Sequence, residues 1–570
     1  MRRRAPSGEE TTRDGVRDQR RTAALLMVVA LVVAGVVQGS PWLFARDSTA
    51  STPARPAAVT RPTGRPRPRT RPTTPVRVVD ATSMGPDGVR ASWVQQENAR
   101  PGTNGWQIAP GAAAGIEGFA DQSYAADGDT VRLYISTEAH TFHIDAFRMG
   151  FYGGVGAREV WQSPEIAGNV QPDCAVTGLT NMVSCDNWTP SIALALTAAF
   201  VPGDYLFKLE GNHGQQSYIP LTVWDPNSHA AYVIKNDIFT WQAWNNFGGY
   251  DFYAGKGDCP TGAYPICSRA RVVSFDRPYA YGDGSGDFLG NEYPLVRFAE
   301  QHGLDVTYAT DLTIQQHPSY LLDHKALLSL GHDECWSLYE RVAVESAAAH
   351  GMNVAFFAAS PILRHVRLQP SPLGPQREEV DYRDAQEDPL DHEHAGNALD
   401  VTANTWSSPP ANWSADGFVG ETYAGYLEPD ARPEDFVVAD PSAWIYRNTG
   451  LHNGSTIPGL LASDFDQFDP SVHADSEQIL GHSPISMRDA QSTMGAERGY
   501  VYSDMTYRVQ SPNGAGIFDS GTNNWIPALA PCAACSFQAV ATMTGNLLWL
   551  FGQGPAGRIQ PATSNWQEFY

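Results

Sequence analysis

The segment most loaded with reactive groups is GHDECWS, residues 331–337, where His332, Asp333, Glu334 and Cys335 stand in a row. Histidine moves protons or binds metal, carboxylates do either, and cysteine offers a nucleophile or a thiolate ligand. The bland alternative is that Asp333 and Glu334 cap a following helix and Cys335 is a small buried residue. DHEH at 391–394 sets His392 and His394 two apart in an acidic stretch. Asp464, Asp466 and Asp469 form an acidic series without the glycine and closing glutamate of a calcium loop. Trp241, Trp244, Phe247, Tyr250 and Tyr253, threaded with Gly248 and Gly249, suit either a pocket wall or core packing. CAAC at 532–535 has no second ligand pair and reads as a structural disulfide or two plain thiols.

The patterns that position these groups fall into two kinds. From Gly115 to Trp224 the apolar period is two: Val131, Leu133 and Ile135, then Tyr205, Phe207 and Leu209, then Ile219, Leu221 and Val223. Short alternating strands of this kind predict an immunoglobulin-like β-sandwich over 79–225. After Asp225 strands and helices alternate. HAAYVIKND, RVVSFDRP, LDVTYATD, KALLSLG and NVAFFAAS read as strands, while 292–303 and 335–351 read as helices ended by Gly303 and Gly351. That alternation predicts a parallel, doubly wound α/β domain over 226–570. It puts GHDECWS at a strand's carboxyl end, where open sheets bind ligands. The stretch from 361 to about 440 reads as loop-rich, and a last helix is expected near 536–551. The fold class is α/β plus all-β.

Residues 22–44 form one uncharged apolar run, long enough for the ~17–25 residues a membrane span needs. Seven arginines precede it, so 1–21 is expected to be a cytoplasmic tail and the bulk of the chain extracytoplasmic. A Pro/Arg/Thr-rich linker fills 45–78. The first 78 residues hold 15 Arg and 5 acidic residues, yet the whole chain is −23, so the body is strongly acidic and nucleic-acid binding is not its business. The expected partners are the membrane, through the anchor, and a small amide or cell-wall ligand. Cys174/Cys185, Cys259/Cys267 and Cys532/Cys535 are close enough in sequence for three disulfides, leaving Cys335 alone.

LSLGHDECWS, with FRMGFYGGVGAR (147–158), WQAWNNFGGYDFY (241–253), VVSFDRPY (272–279) and NTGLHNG (448–454), resembles the N,N-dimethylformamidase large (beta) subunit family over about residues 115–570. The resemblance implies a β-sandwich followed by a glutamine-amidotransferase-like α/β domain. It also implies hydrolysis of a small amide at one iron ion held by two tyrosines and a glutamate. Carried over by motif, the first tyrosine falls on Cys335, the second on Tyr382 in VDYRDAQEDP, and the glutamate on Asp464. Cysteine for tyrosine swaps a hard phenolate for a soft thiolate and changes the favoured metal, so the expected cofactor is one iron ion or another transition metal. The expectation is thus a metal-dependent C–N hydrolase with Cys335, Tyr382 and Asp464 as ligands and His332 or Glu334 moving protons. Its rivals are a thiol hydrolase using Cys335 with His332 as base, and a non-catalytic surface-binding module.

Overall fold

The computed structural model describes residues 81–570 apart from 258–264, 394–396, 472–475, 497–498 and 532–536. The expected tail, span and linker lie outside the described residues, as do Cys259, Cys532, Cys535 and His394. Among the described residues no helix is long and apolar enough to cross a membrane. The protein is a mixed α/β structure with many β-sheets, strands predominating.

Two sheets share the first core. Strands β1 (Ile116–Ala120), β2 (Thr130–Thr137) and β5 (Ile192–Ala195) form one, in the order β5-β2-β1. Strands β3 (Thr141–Met149), β4 (Ala157–Gln162), β6 (Gly203–Gly211) and β7 (Gln216–Val223) form most of the other, in the order β7-β6-β3-β4. The alternating residues read from sequence all meet between them: Val131, Leu133, Ile135, Tyr205, Phe207, Leu209, Ile219, Leu221 and Val223. Each contributes roughly 1.5–3 kcal/mol by leaving water. The opposite face of the larger sheet is buried too. Phe147, Met149, Leu206 and Tyr218 join a second core with Ile238, Phe239, Trp241 and Phe288. A fully buried ion pair, Arg148 Nη2 to Glu300 Oε1 at 2.6 Å, ties the layers together. Asp80–Tyr570 is accordingly one compact unit.

The central sheet has seven strands. They are β8 (Tyr232–Asn236), β10 (Val306–Thr310), β11 (Ala326–Ser329), β13 (Asn353–Phe356), β18 (Glu477–Ser486), β19 (Tyr500–Gln510) and β20 (Ala515–Asp519). Their order is β10-β8-β11-β13-β20-β19-β18; the first five run parallel, β19 runs against β20, and β18 runs against β19. ALLS and NVAF are buried along their whole length, as strands covered on both faces must be. Helices α1 (Ile238–Ala243), α2 (Tyr293–Gln301), α3 (Leu338–Ala349) and α4 (Gln538–Phe551) accompany the sheet. Gly303, at φ +63°, takes the left-handed turn just after α2.

Three expectations need correction. The helix read as 335–351 begins at Leu338: Cys335–Ser337 is a short strand, β12, and Ser337 is the N-cap, accepting from the Glu340 amide. Asp333 and Glu334 therefore cap nothing. RVVSFDRP contributes β9 (Val272–Ser274), which joins a separate four-stranded sheet with β12, β14 (Arg364–Ser371) and β15 (Gly374–Val380), in the order β9-β15-β14-β12. The stretch read as loop-rich holds the β14–β15 pair and β16 (Thr422–Leu427). Those strands were hidden because charged residues point inward: Arg377, Glu378 and Glu379 are all buried. One expected disulfide, Cys174–Cys185, is formed, and Cys267 is disulfide-bonded as well.

Candidate functional site

β8 continues to β10 on one side, while β11 lies on its other side, so the chain direction divides between β8 and β11. Such a division leaves a crevice at the strands' carboxyl ends. The loop 331–334 leaves β11 there, with Gly331 at φ +50°. Lys235, the fourth residue of β8, anchors it from below. Its ammonium donates to Asp311 Oδ1 at 2.5 Å, Asp333 Oδ1 at 2.8 Å and Glu340 Oε1 at 3.0 Å, lies 3.5 Å from Asp237, and sits over the Trp336 ring. All these groups are sealed from solvent. Asp333 is thereby pinned inward, and Ser329 also donates to it. The amides of Glu334 and Cys335 both donate to Thr240 Oγ1 at 3.0 Å, which fixes the next two residues against α1.

His332 and Glu334 flank that anchor and meet a different set of partners. Glu334 Oε1 accepts from Arg364 Nε at 3.0 Å; Oε2 accepts from Trp244 Nε1 at 3.2 Å and from the Tyr253 hydroxyl. Trp244 follows α1, and Gly248 and Gly249, at φ +75° and +87°, turn the chain so that Tyr253 stacks on Trp244 at 3.7 Å. The Arg383 guanidinium lies 4.1 Å from the Tyr253 ring centre. Arg364 begins β14 opposite Cys335, its amide donating to the Glu334 carbonyl at 2.8 Å. His332 Nε2 stands 3.6 Å from Glu334 Oε2 and 3.4 Å from Asp464 Oδ2, at the start of β17 (Asp464–Gln467). Trp244, 40% exposed, opens the cluster to solvent.

The electrostatics follow from these neighbours. Burial pushes His332 down, but Asp464, 3.4 Å away, with Glu334 and Asp287, overcomes it and raises the imidazole to about 9. Burial pushes Glu334 up, but Arg364, His332 and Arg383 outweigh it and bring the carboxyl to about 2. At neutral pH the cluster is an imidazolium and two guanidinium groups interleaved with carboxylates. Burial raises the Cys335 thiol well above its ordinary range, and Glu379, Glu334 and Asp381 push it further. A thiol held protonated is a poor nucleophile, which weighs against Cys335 with His332 as base.

Of the residues singled out in the sequence, the structure brings together His332, Glu334 and Asp464. Cys335 is adjacent but turned into the core. The Tyr382 ring sits near Arg367, its carbonyl accepts from Arg269 and its amide donates to Thr402 Oγ1. His392 is exposed beside the Gln386 carbonyl, and Asp466 is buried against the Ser360 amide. Trp241 is core, donating to Glu292. Arg364 was missed, having no motif around it; Trp244 and Tyr253 were visible only as members of an aromatic set.

The cluster supplies the carboxylates of Glu334 and Asp464, the imidazole of His332 and the phenol of Tyr253; Tyr423 lies near enough that burial, then Asp464 and Glu334, raise its phenol. Among the described residues, the His/Cys/Asp/Glu groups with three ligand atoms mutually within 4.8 Å are His143/Asp145/Glu210 and Asp237/Asp311/Asp333, and neither is this cluster.

No curated protein matches the chain. Among solved structures, a Paenibacillus cycloisomaltooligosaccharide glucanotransferase in complex with cycloisomaltoheptaose is similar at 10% identity, over 50% of this chain and 36% of its own, with a TM-score of 0.14. That likeness carries no argument about fold or function. The family model described as N,N-dimethylformamidase beta subunit-like, C-terminal, matches residues 143–537, and the match covers most of the motifs quoted above, GHDECWS among them. The chain belongs to the N,N-dimethylformamidase beta subunit-like family.

Proposed function

We propose that the protein hydrolyses a C–N bond of an amide at the cluster of His332, Glu334, Asp464, Tyr253 and Arg364. One observation carries the reading: His332 Nε2 stands between two carboxylates at the carboxyl end of a central strand, beside an exposed indole. An amide presents an acceptor oxygen and a nitrogen that needs a proton to leave, and the cluster offers cations and carboxylates side by side. In this reading Asp464 takes a proton from the attacking water as its oxygen bonds to the carbonyl carbon. His332 gives its Nε2 proton to the nitrogen as the C–N bond breaks. Glu334 holds the imidazolium in place. Carboxylate and imidazole pairs of this kind contribute about 10²–10⁴-fold each as general acids and bases.

The finer architecture belongs to the same proposal: an immunoglobulin-like sandwich up to about residue 225, a glutamine-amidotransferase-like α/β domain beyond it, and a tether through residues 22–44 that leaves both outside the membrane. A second reading, as a non-catalytic binding surface for an amide-bearing wall polymer, draws on the low titration of Glu334 and the three donors already on it, which make it a weak base. Amine release from a panel of small amides by the purified full-length protein separates the two. Turnover lost in His332→Gln and Asp464→Asn supports hydrolysis. No turnover on any amide, with co-sedimentation on wall polysaccharide, contradicts it and supports binding.

A further inference from the structure

Phe142 and Ile144 of β3 fill the first core, so His143 and Asp145 share the opposite face of the larger sheet. Glu210 of β6 stands opposite His143, and Gln216 of β7 stands opposite Glu210. One step along, Asp145 lies between Lys208 of β6 and Gln162 of β4. The strand register thus gathers one imidazole and two carboxylates, with one ligand atom of each within 4.8 Å of the others.

Each carboxylate has one oxygen held by the protein and one turned to the histidine. Asp145 Oδ1 accepts from Gln162 Nε2 at 2.9 Å. Glu210 Oε1 accepts from Gln216 Nε2 at 3.2 Å and pairs with the Lys208 ammonium, which also donates to the Gly105 carbonyl at 2.9 Å. The other two oxygens, Asp145 Oδ2 and Glu210 Oε2, stand 3.6 and 3.7 Å from His143 Nε2, beyond hydrogen-bond length. Ligand atoms around a tetrahedral zinc ion, at bonds of about 2.0–2.2 Å, lie about 3.3–3.6 Å apart, close to that spacing. His143, 38% exposed, and Glu210 line an open groove of about 380 Å³ together with Glu165, which accepts from Thr141 Oγ1 at 2.5 Å. Three carboxylates there face one ammonium, an excess that favours a cation. The Asp237/Asp311/Asp333 group differs: it is sealed from solvent and already holds the Lys235 ammonium.

We propose that His143 Nε2, Asp145 Oδ2 and Glu210 Oε2 bind one divalent transition-metal ion of the zinc class on the outer face of the larger sheet. An imidazole with two carboxylates suits zinc, whereas calcium and magnesium take all-oxygen sites. Gln162, Gln216 and Lys208 aim the two oxygens, as outer partners do around metal ligands. Three protein ligands leave a fourth position for water or a donor atom of a ligand in the groove. No residue of the His332 cluster takes part, so the proposal stands or falls apart from amide hydrolysis.

The test is calorimetric titration of zinc into the full-length protein after chelator treatment and desalting, on wild type, His143→Gln, Glu210→Gln and Gln162→Leu. Wild type is expected to take one zinc equivalent that His143→Gln and Glu210→Gln both lose. Gln162→Leu, which frees the Asp145 carboxylate to turn, should bind that equivalent about 10–100-fold more weakly. Cation sites elsewhere in the chain are common to all four proteins and cancel in the difference. Wild type that binds no zinc overturns the proposal. So does a folded His143→Gln or Glu210→Gln with wild-type stoichiometry and affinity, and either variant suffices if the other fails to fold.

Discussion

Asp333 and Glu334 are consecutive acidic residues with opposite fates. Asp333 belongs to a sealed group in which one cation, Lys235, meets Asp237, Asp311, Asp333 and Glu340, all essentially inaccessible. Four carboxylates around one ammonium cannot all be ionised at low cost. Burial accordingly raises Asp237 and Glu340 well above their ordinary range, and Asp333 to about 6. Glu334 faces Arg364, Arg383 and His332 and stays ionised. Buried charge alone does not make a functional site. The inner group is closed on every side and serves to fix a loop, whereas the outer group keeps cations at its rim and an open aromatic face.

The largest effect should come from breaking the inner group. Lys235→Met strands carboxylates in the core and should cost about 3–5 kcal/mol, the usual penalty for removing one partner of a buried pair, read as a fall in the denaturation midpoint. Removing the outer cation is expected to cost less. Arg364→Met, at a partly exposed pair that Tyr253 and Trp244 still support, should lose roughly 1–3 kcal/mol in the same assay, along with amide turnover. A loss in Arg364→Met equal to that in Lys235→Met would erase the distinction between the two regions.

Histidines sharpen the contrast through pH. His365 is fully buried, stacks on Trp406, and is pushed down to about 3, first by burial and then by Arg341. Its unfolded form takes a proton near 6.5, so stability from this residue is present above that pH and is lost as pH falls from about 6.5 towards 3. His332 has the opposite sign. Its raised value makes its ion pairs stabilising below about 6.5, and that contribution is lost as pH rises through about 9. Urea midpoints across pH should therefore show an acid limb reduced in His365→Phe and an alkaline limb reduced in His332→Gln. An unchanged acid limb in His365→Phe would contradict the burial account. The smallest effect is assigned to Tyr382→Phe: its ring keeps Arg367 and its backbone keeps Arg269 and Thr402, which predicts a stability change within about 0.5 kcal/mol and unaltered turnover.

Much of this frame was legible in the chain. The first core followed from strict alternation in TVRLYIST and GDYLFKLEG, because one face of each strand fills it. The place of GHDECWS followed from the apolar run ALLS before it and the amphipathic run after it. The start of α3 was misplaced by three residues because CWS continues the apolar pattern while its backbone pairs with β14. Arg364, and the approach of Asp311 and Glu340 to Lys235, stayed invisible because these residues come from separate elements with no shared spacing. Tyr382 comes from the resemblance alone, and a motif match in VDYRDAQEDP does not say which way a side chain turns.

The central claim is that the outer cluster, not Cys335 or Tyr382, carries the chemistry. It is tested most directly by amine release from small amides by purified wild type, His332→Gln, Cys335→Ser and Tyr382→Phe, each checked by its melting curve. The account predicts turnover abolished in His332→Gln and retained in Cys335→Ser and Tyr382→Phe. Turnover surviving in a folded His332→Gln, or lost in a folded Cys335→Ser or Tyr382→Phe, would contradict it.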